Sequence, residues 1–334
     1  MKLIITGNGF DLHHGLNTSY YAFGYFLKRN NKKIYDNLIE YFYFPDLPSD
    51  PNELEKSKHY LWSEFESNLA AFDTQSVLES FDEYRPNVAS PDFSDGEWHA
   101  FSIVMQELLE EITDGLFTQF KSFIDKVKYP NISDEIKLDL DNKDLFINFN
   151  YTNTLQYYYG IKNNQILYLH GNASLPDDTL ILGHGIDPEN FVETPEEAPA
   201  GATYEELERW NQYMADNYDF AFESGKNTIN QYFKNSFKNT EDVISSAKEF
   251  FSYLSQVNEV IIIGHSLSQV DMPYFSAIKQ NVQFNATWTV TWYFENEREQ
   301  HRLALLNVGI ENPQTIPISS LQINLTPNQH DIQL

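Results

Sequence analysis

The chain opens MKLIITGNGFDLHHGLNTSYYAF (residues 1–23), where an apolar run, Leu3 to Ile5, stops at Gly7-Asn8-Gly9 and a helix-like stretch begins. A strand ending in a glycine pair lets backbone approach a ligand closely, and the first amides of the next helix can face a phosphate. The dinucleotide pattern G-x-G-x-x-G asks for a third glycine where Leu12 stands, so the turn alone leaves two readings, a nucleotide loop or a tight turn.

Working outward, the same kind of run recurs as LFINFNY from Leu145, ILYLHGN from Ile166, LILGHG from Leu180 and VIIIGHS from Val260, with a more alternating one over Thr287 to Phe294. Runs that are apolar throughout suit strands buried on both faces of a parallel sheet. Polar residues gather just after them, at the carboxyl ends where open α/β sheets bind ligands. The pattern predicts an α/β fold, a Rossmann-like doubly wound and mostly parallel sheet carrying large helical insertions. Its core segments are 1–19, 140–192 and 256–334. Residues 20–139 and 193–255 read as two helical insertions, their acidic faces solvated.

The formal charge of −27, from 22 Lys plus Arg against 49 Asp plus Glu, repels phosphate backbones and anionic lipid, so neither nucleic acid nor a membrane is an expected direct partner. With no cysteine there is no disulfide, thiolate zinc site or thiol nucleophile. No signal-like h-region or eighteen-residue apolar run occurs, and a cytoplasmic location is expected. His13, His14, His184 and His265 lack an accompanying H-E-x-x-H or carboxylate-rich loop, so no metal is expected.

Asn150, in FINFNYTNTL, and His170, in ILYLHGN, each close a predicted strand. An asparagine amide can hold a ribose hydroxyl or a water, and an imidazole nearby can take a proton at neutral pH. Asn8, Phe10 and Asp11 are placed to line a cofactor, while Asp11 also suits a helix N-terminus through its charge. Gly264-His265-Ser266-Leu267-Ser268 repeats the pattern of strand, glycine, small polar residues and helix start. It also admits another reading, the nucleophile elbow of a serine esterase, with Ser266 as nucleophile, His170-Gly171 in an oxyanion loop and His301 or His330 as the later histidine. A third reading is a sensor that binds a nucleotide without turnover.

The order of these motifs resembles that of the sirtuins. Gly7-Asn8-Gly9 with Gly15-Leu16 matches their glycine turn, Asn150 their catalytic-loop asparagine, His170-Gly171 their His-Gly, and Gly264 with Ser266-Leu267 their Gly-Thr-Ser-Leu. Across the whole chain, GNGFDL, HGL, FNYT and GHSL with Val270-Asp271, together with Trp62 and Glu66, are similar to the bacterial abortive-infection AbiH family. The resemblance implies a sirtuin-like Rossmann core, a role in phage defence, and NAD as substrate or ligand, cleaved at the nicotinamide bond. It implies Asn150 and His170 as catalytic residues. Gly7, Asn8, Gly9, Phe10, Asp11, Thr152, Gly171, Gly264, His265, Ser266 and Asp271 would then bind the nucleotide. Sirtuin deacylases carry a four-cysteine zinc module and an aspartate where Thr152 stands, so zinc-dependent deacylation is not expected. A phage protein as trigger, acting on the helical insertions or on a homo-oligomer, completes the expectation. Trp62 and Glu66, four apart on one helical face, read as a core anchor and a local hydrogen-bonding partner.

Overall fold

A computed structural model of the chain describes every residue except 88, 92, 176, 195 and 324–334. Six strands form one all-parallel sheet: β1 (Lys2–Thr6), β2 (Leu145–Asn148), β3 (Ile166–Tyr168), β4 (Glu259–Ile263), β5 (Thr287–Trp292) and β6 (Gln314–Pro317). Their order is β3-β2-β1-β4-β5-β6. The chain leaves β1 toward one side of the sheet and later returns to the other side through β4. The β1–β4 boundary is therefore the topological switch point, the usual ligand crevice of such sheets.

The apolar runs are strands because both sheet faces are covered. Leu3, Ile5, Ile147, Val260 and Ile262 enter one core with Phe251, Tyr274, Phe275 and Leu305. Ile4, Phe146, Ile261 and Ile263 enter the opposite core with Phe10, Leu138, Leu155 and Ile318. The period-2 alternation of a strand thus divides one continuous hydrophobic run between two cores.

Five of the six expected strands are present. The Leu180 run is not one: Ile181 donates its amide to the His170 carbonyl (3.0 Å), Tyr151 donates its hydroxyl to the Ile181 carbonyl, and His184 makes an isolated bridge to Phe237. Local apolarity cannot distinguish a ladder strand from a buried loop tied down in this way. The sixth strand is instead QTIP at the sheet edge, short, polar at its start and closed by a proline that an edge tolerates.

Helices fill much of the two long segments between strands, from Tyr20–Asn30 to Leu116–Asp125 in the first and from Tyr204–Asp216 to Lys248–Tyr253 in the second. They share a third core, in which Phe23, Trp62, Phe65, Phe101 and Phe120 meet Ile229, Tyr232 and Phe233, with Tyr151, Ala173 and Leu182 from the strand-end loops packed in. Trp62 is an anchor of this core, fully buried and donating its indole N–H to the Pro45 carbonyl. Among the described residues no helix is long and apolar enough to cross a membrane.

Candidate functional site

The first turn is explained by its neighbour. Gly7 N donates to Ile263 O (3.0 Å) and Gly9 N to Gly264 O (2.7 Å), so the β1 and β4 loops lie directly against each other. A Cβ on Gly7 would sit 2.7 Å from His265 Cα, and one on Gly9 would sit 2.8 Å from Gly264 Cα. Gly264 has φ 62° and faces the Gly9-Phe10 backbone in turn. The glycines are thus required by loop-to-loop packing, and two amides of the GNG turn are already spent on it. The helix that follows, Asn8–His13, is short.

Two polar clusters surround the strand ends. In the first, Asp11 is buried and its carboxylate accepts from Thr152 Oγ1 (2.6 Å) and Thr154 Oγ1 (2.7 Å). Burial pushes its pKa up to about 6, against the pull of Thr152, Thr154 and Asn150. Asn150 donates its side-chain amide to the Gly7 carbonyl (2.9 Å), and its backbone N–H goes to Asn148 Oδ1, which also accepts from Thr6. A carboxylate therefore stands beside Thr152 after all, supplied by Asp11 from the first turn. Asn8 accepts from Thr18, and Phe10 is wholly buried against His14 and Tyr159. Phe10 is a core residue in this fold.

The second cluster centres on His170, at the end of β3. Gly171 follows with φ 81°, and a Cβ there would meet the Thr179 carbonyl, which fixes the turn that presents the imidazole. The ring packs on Phe149, Tyr151 and Tyr274. Its Nε2 is 3.7 Å from Asp271 Oδ1 and has no hydrogen-bond partner among the described residues, a state shared by the Tyr274 hydroxyl. His265 packs edge-on against Phe149, accepts the Leu267 amide through Nδ1, and points Nε2 at Asp271 Oδ2 (3.5 Å). Asp271 also accepts from Ser268 Oγ.

Two groups from the helical segments complete this cluster. Lys238, with a wholly buried side chain, donates to Asp271 Oδ1 (2.8 Å) and to Glu66 Oε2 (2.7 Å), and Glu66 also accepts from the Tyr20 hydroxyl. Burial and the Lys238 charge lower the His170 pKa to about 3, Asp271 opposing them. His265 falls to about 4, chiefly through burial. Burial works to raise Asp271, but Lys238 and the two imidazoles outweigh it and hold the carboxyl well below its ordinary range. At neutral pH the site holds a carboxylate and an ammonium beside two neutral imidazoles, mostly screened from water.

Asn150 and His170 accordingly join different clusters, one tied to Gly7 and Asp11 and the other to Asp271. Ser266 is exposed, and the left-handed residues of its loop are Gly264 (φ 62°) and Leu267 (φ 55°), not Ser266 itself. His301 is engaged through Nδ1 with the Thr291 carbonyl, and His330 lies outside the described residues. Among the described residues, the strained serine turn and the serine–histidine contact of a hydrolase elbow have no counterpart. His184 is a packing residue, ringed by Phe191, Tyr232, Phe233 and Phe237. No group of three or more His, Asp or Glu among the described residues is arranged to hold a metal ion. A surface cleft of about 420 Å³, lined by Gln106, Tyr218, Phe220 and neighbours, includes none of these residues and no carboxylate, imidazole or lysine.

The family model described as Bacteriophage abortive infection AbiH matches residues 3–292. The chain belongs to the AbiH family. That match spans β1 to β5 and both helical segments of this AbiH protein, and it carries a role in abortive infection of phage-infected cells. No curated protein and no solved structure matches the chain.

Sequence reasoning overlooked Lys238 in this AbiH protein, and it took Glu66 for a partner of nearby residues. Lys238 stands in FKNT with nothing to separate it from a surface lysine. Its partners are 172 and 33 residues away in sequence. Glu66 meets Tyr20 across 46 residues. The one available signal was the four-residue spacing of Trp62 and Glu66, which put Glu66 beside the buried face of its helical turn.

Proposed function

We propose that this AbiH protein is an abortive-infection effector that hydrolyses the bond between nicotinamide and ribose in NAD or a close relative, at the carboxyl ends of β1 to β4 in a sirtuin-like core. The observation that carries the reading is His170: a neutral imidazole with an unpartnered Nε2, at a strand end near the switch point and within reach of an ionised aspartate. Such a group can take a proton from water as the water adds to C1′ of the ribose and nicotinamide leaves with the bonding electrons. The reaction passes through an oxocarbenium-like ribose, which nearby carboxylates favour electrostatically. Asn150 contributes by fixing the Gly7–Gly9 turn beside these strand ends, and Ser266, exposed on the facing loop, is available to a phosphate or ribose hydroxyl.

The side chain of His170 is only 3 % exposed, so substrate must enter through movement of the surrounding loops or helical segments. That requirement fits an effector held closed until a phage protein acts on it. Purified protein incubated with NAD should release nicotinamide once activated, and His170→Ala should lose at least about a hundredfold, the ordinary scale for a positioned base. In infected cells the wild type should deplete NAD and protect, while His170→Ala should do neither. Undiminished turnover in folded His170→Ala removes the assignment, and NAD binding without any turnover favours a sensor.

A further inference from the structure

Lys238 reaches the sheet from the turn between the helices Gln231–Asn235 and Thr240–Ser246. Its backbone N–H donates to the His184 carbonyl (2.8 Å), and the His184 N–H donates to the Ser236 carbonyl (3.0 Å), so the turn is clamped before the side chain begins. From there the ammonium enters a space closed to solvent and contacts Glu66 and Asp271 together. Asp271 Oδ1 is therefore shared between Lys238 Nζ at 2.8 Å and His170 Nε2 at 3.7 Å.

We infer that Lys238 is a positioning residue for His170: anchored by Glu66, its ammonium grips Asp271 and weakens the pull of that carboxylate on a proton at His170 Nε2. What His170 then does rests on the function proposed above; the control of its ionisation does not. The charged and titratable groups facing the imidazole are Asp271 and His265 from the β4 loop and Lys238 from the second helical segment. The Tyr151 and Tyr274 rings pack against it, and Glu66 lies on the far side of Lys238. Asp271 would stabilise an imidazolium and Lys238 opposes one. Burial is the main cause that keeps the imidazole neutral, and Lys238 adds to it; an unshielded carboxylate at this distance would raise the affinity of His170 for a proton. Both helical segments thus contribute to the reacting centre, the first through Glu66 and Tyr20 and the second through Lys238.

A merely structural staple would hold the segments together without governing the proton on His170, and the titration of that one residue separates the two. Full-length protein with isotope-labelled histidines is titrated by NMR, with the His170 signal identified by its loss in His170→Gln. In the wild type it should remain neutral down to about pH 4 or below. Lys238→Gln combined with Glu66→Gln removes one charge of each sign and keeps polar groups in place, and the His170 midpoint should rise by at least one pH unit, a tenfold gain in proton affinity. Glu66→Gln alone leaves the full Lys238 charge on Asp271, and the midpoint should stay put or fall. An unmoved midpoint in the folded double variant, or a rise in Glu66→Gln, overturns the inference. If the double variant does not fold, Lys238→Met takes its place, with the same rise expected and an unmoved midpoint overturning the inference. Where NAD turnover is measurable, the acid limb of kcat/KM should follow the same shifts; where it is absent, the NMR result still stands and the failure belongs to the proposed reaction.

Discussion

Replacing Lys238 by methionine withdraws the cation from between Glu66 and Asp271 while keeping most of the side-chain volume. The ammonium lies 2.7 Å and 2.8 Å from their oxygens, and the two carboxylate side chains are 16 % and 13 % exposed. Each stranded carboxylate must either stay charged without its partner or take up a proton. At pH 7 protonating a group with an ordinary pKa near 4 costs roughly 4 kcal/mol, which caps the penalty for each. Breaking buried pairs from one side typically destabilises by about 3–5 kcal/mol. The residual hydration of both carboxylates places the expected loss at the lower end, about 3 kcal/mol. At pH 5 the cap falls to roughly 1.4 kcal/mol per carboxylate, so the gap between variant and wild type should narrow, by about half where one carboxylate carries most of the loss. Urea denaturation at the two pH values measures this directly. A loss under about 1 kcal/mol at pH 7, or a gap that does not narrow at pH 5, refutes the picture of a buried lysine neutralising two carboxylates.

Gly9→Val would force a side chain into the Gly264 backbone, and a drop of about 1–3 kcal/mol is expected from such overpacking; an unchanged melting temperature would show that the β1 and β4 loops part easily. Asp11, raised to about 6, makes its stabilising contribution below pH 4 and loses roughly 3 kcal/mol of it as pH climbs to 6, because the unfolded chain ionises first. Asp11→Asn should therefore gain on the wild type over that interval, and a stability difference independent of pH would contradict the burial of an ionisable carboxyl. His170 and His265 act in the opposite sense: their lowered values give stability that is complete above about pH 6.5 and drains away toward pH 4 and 3, so replacing either by glutamine should blunt acid unfolding. Tyr274→Phe removes a hydroxyl with no partner among the described residues and should leave stability within about 0.5 kcal/mol of wild type or improve it, whereas Thr152→Ala, which strips a bond from buried Asp11, should cost about 1–3 kcal/mol; equal effects in thermal melts would mean that the Tyr274 hydroxyl is satisfied in solution.

The parallel sheet was legible in the sequence because a strand covered on both faces has no polar side to show. Leu3-Ile4-Ile5 and Val260 to Ile263 read as unbroken apolar runs, and the glycines that end them mark where the backbones must turn. The family was legible for a related reason: the motifs that identify it sit at those same strand ends, so their order along the chain repeats the order of the fold. The cause of the glycines was not legible. Phosphate approach and loop packing make the same demand on a residue without a Cβ, and only the placement of Gly264 against Gly7 and Gly9 shows that packing already requires them. Nor could spacing reveal that Asn150 turns toward Asp11 and Gly7 while His170 turns toward Asp271, since each merely follows a strand. The charge cluster lay furthest from view. A lysine, a glutamate and an aspartate far apart in the chain carry no mutual signature in sequence, and their meaning arises when the fold removes most of the water from all three and sets the lysine between the two carboxylates.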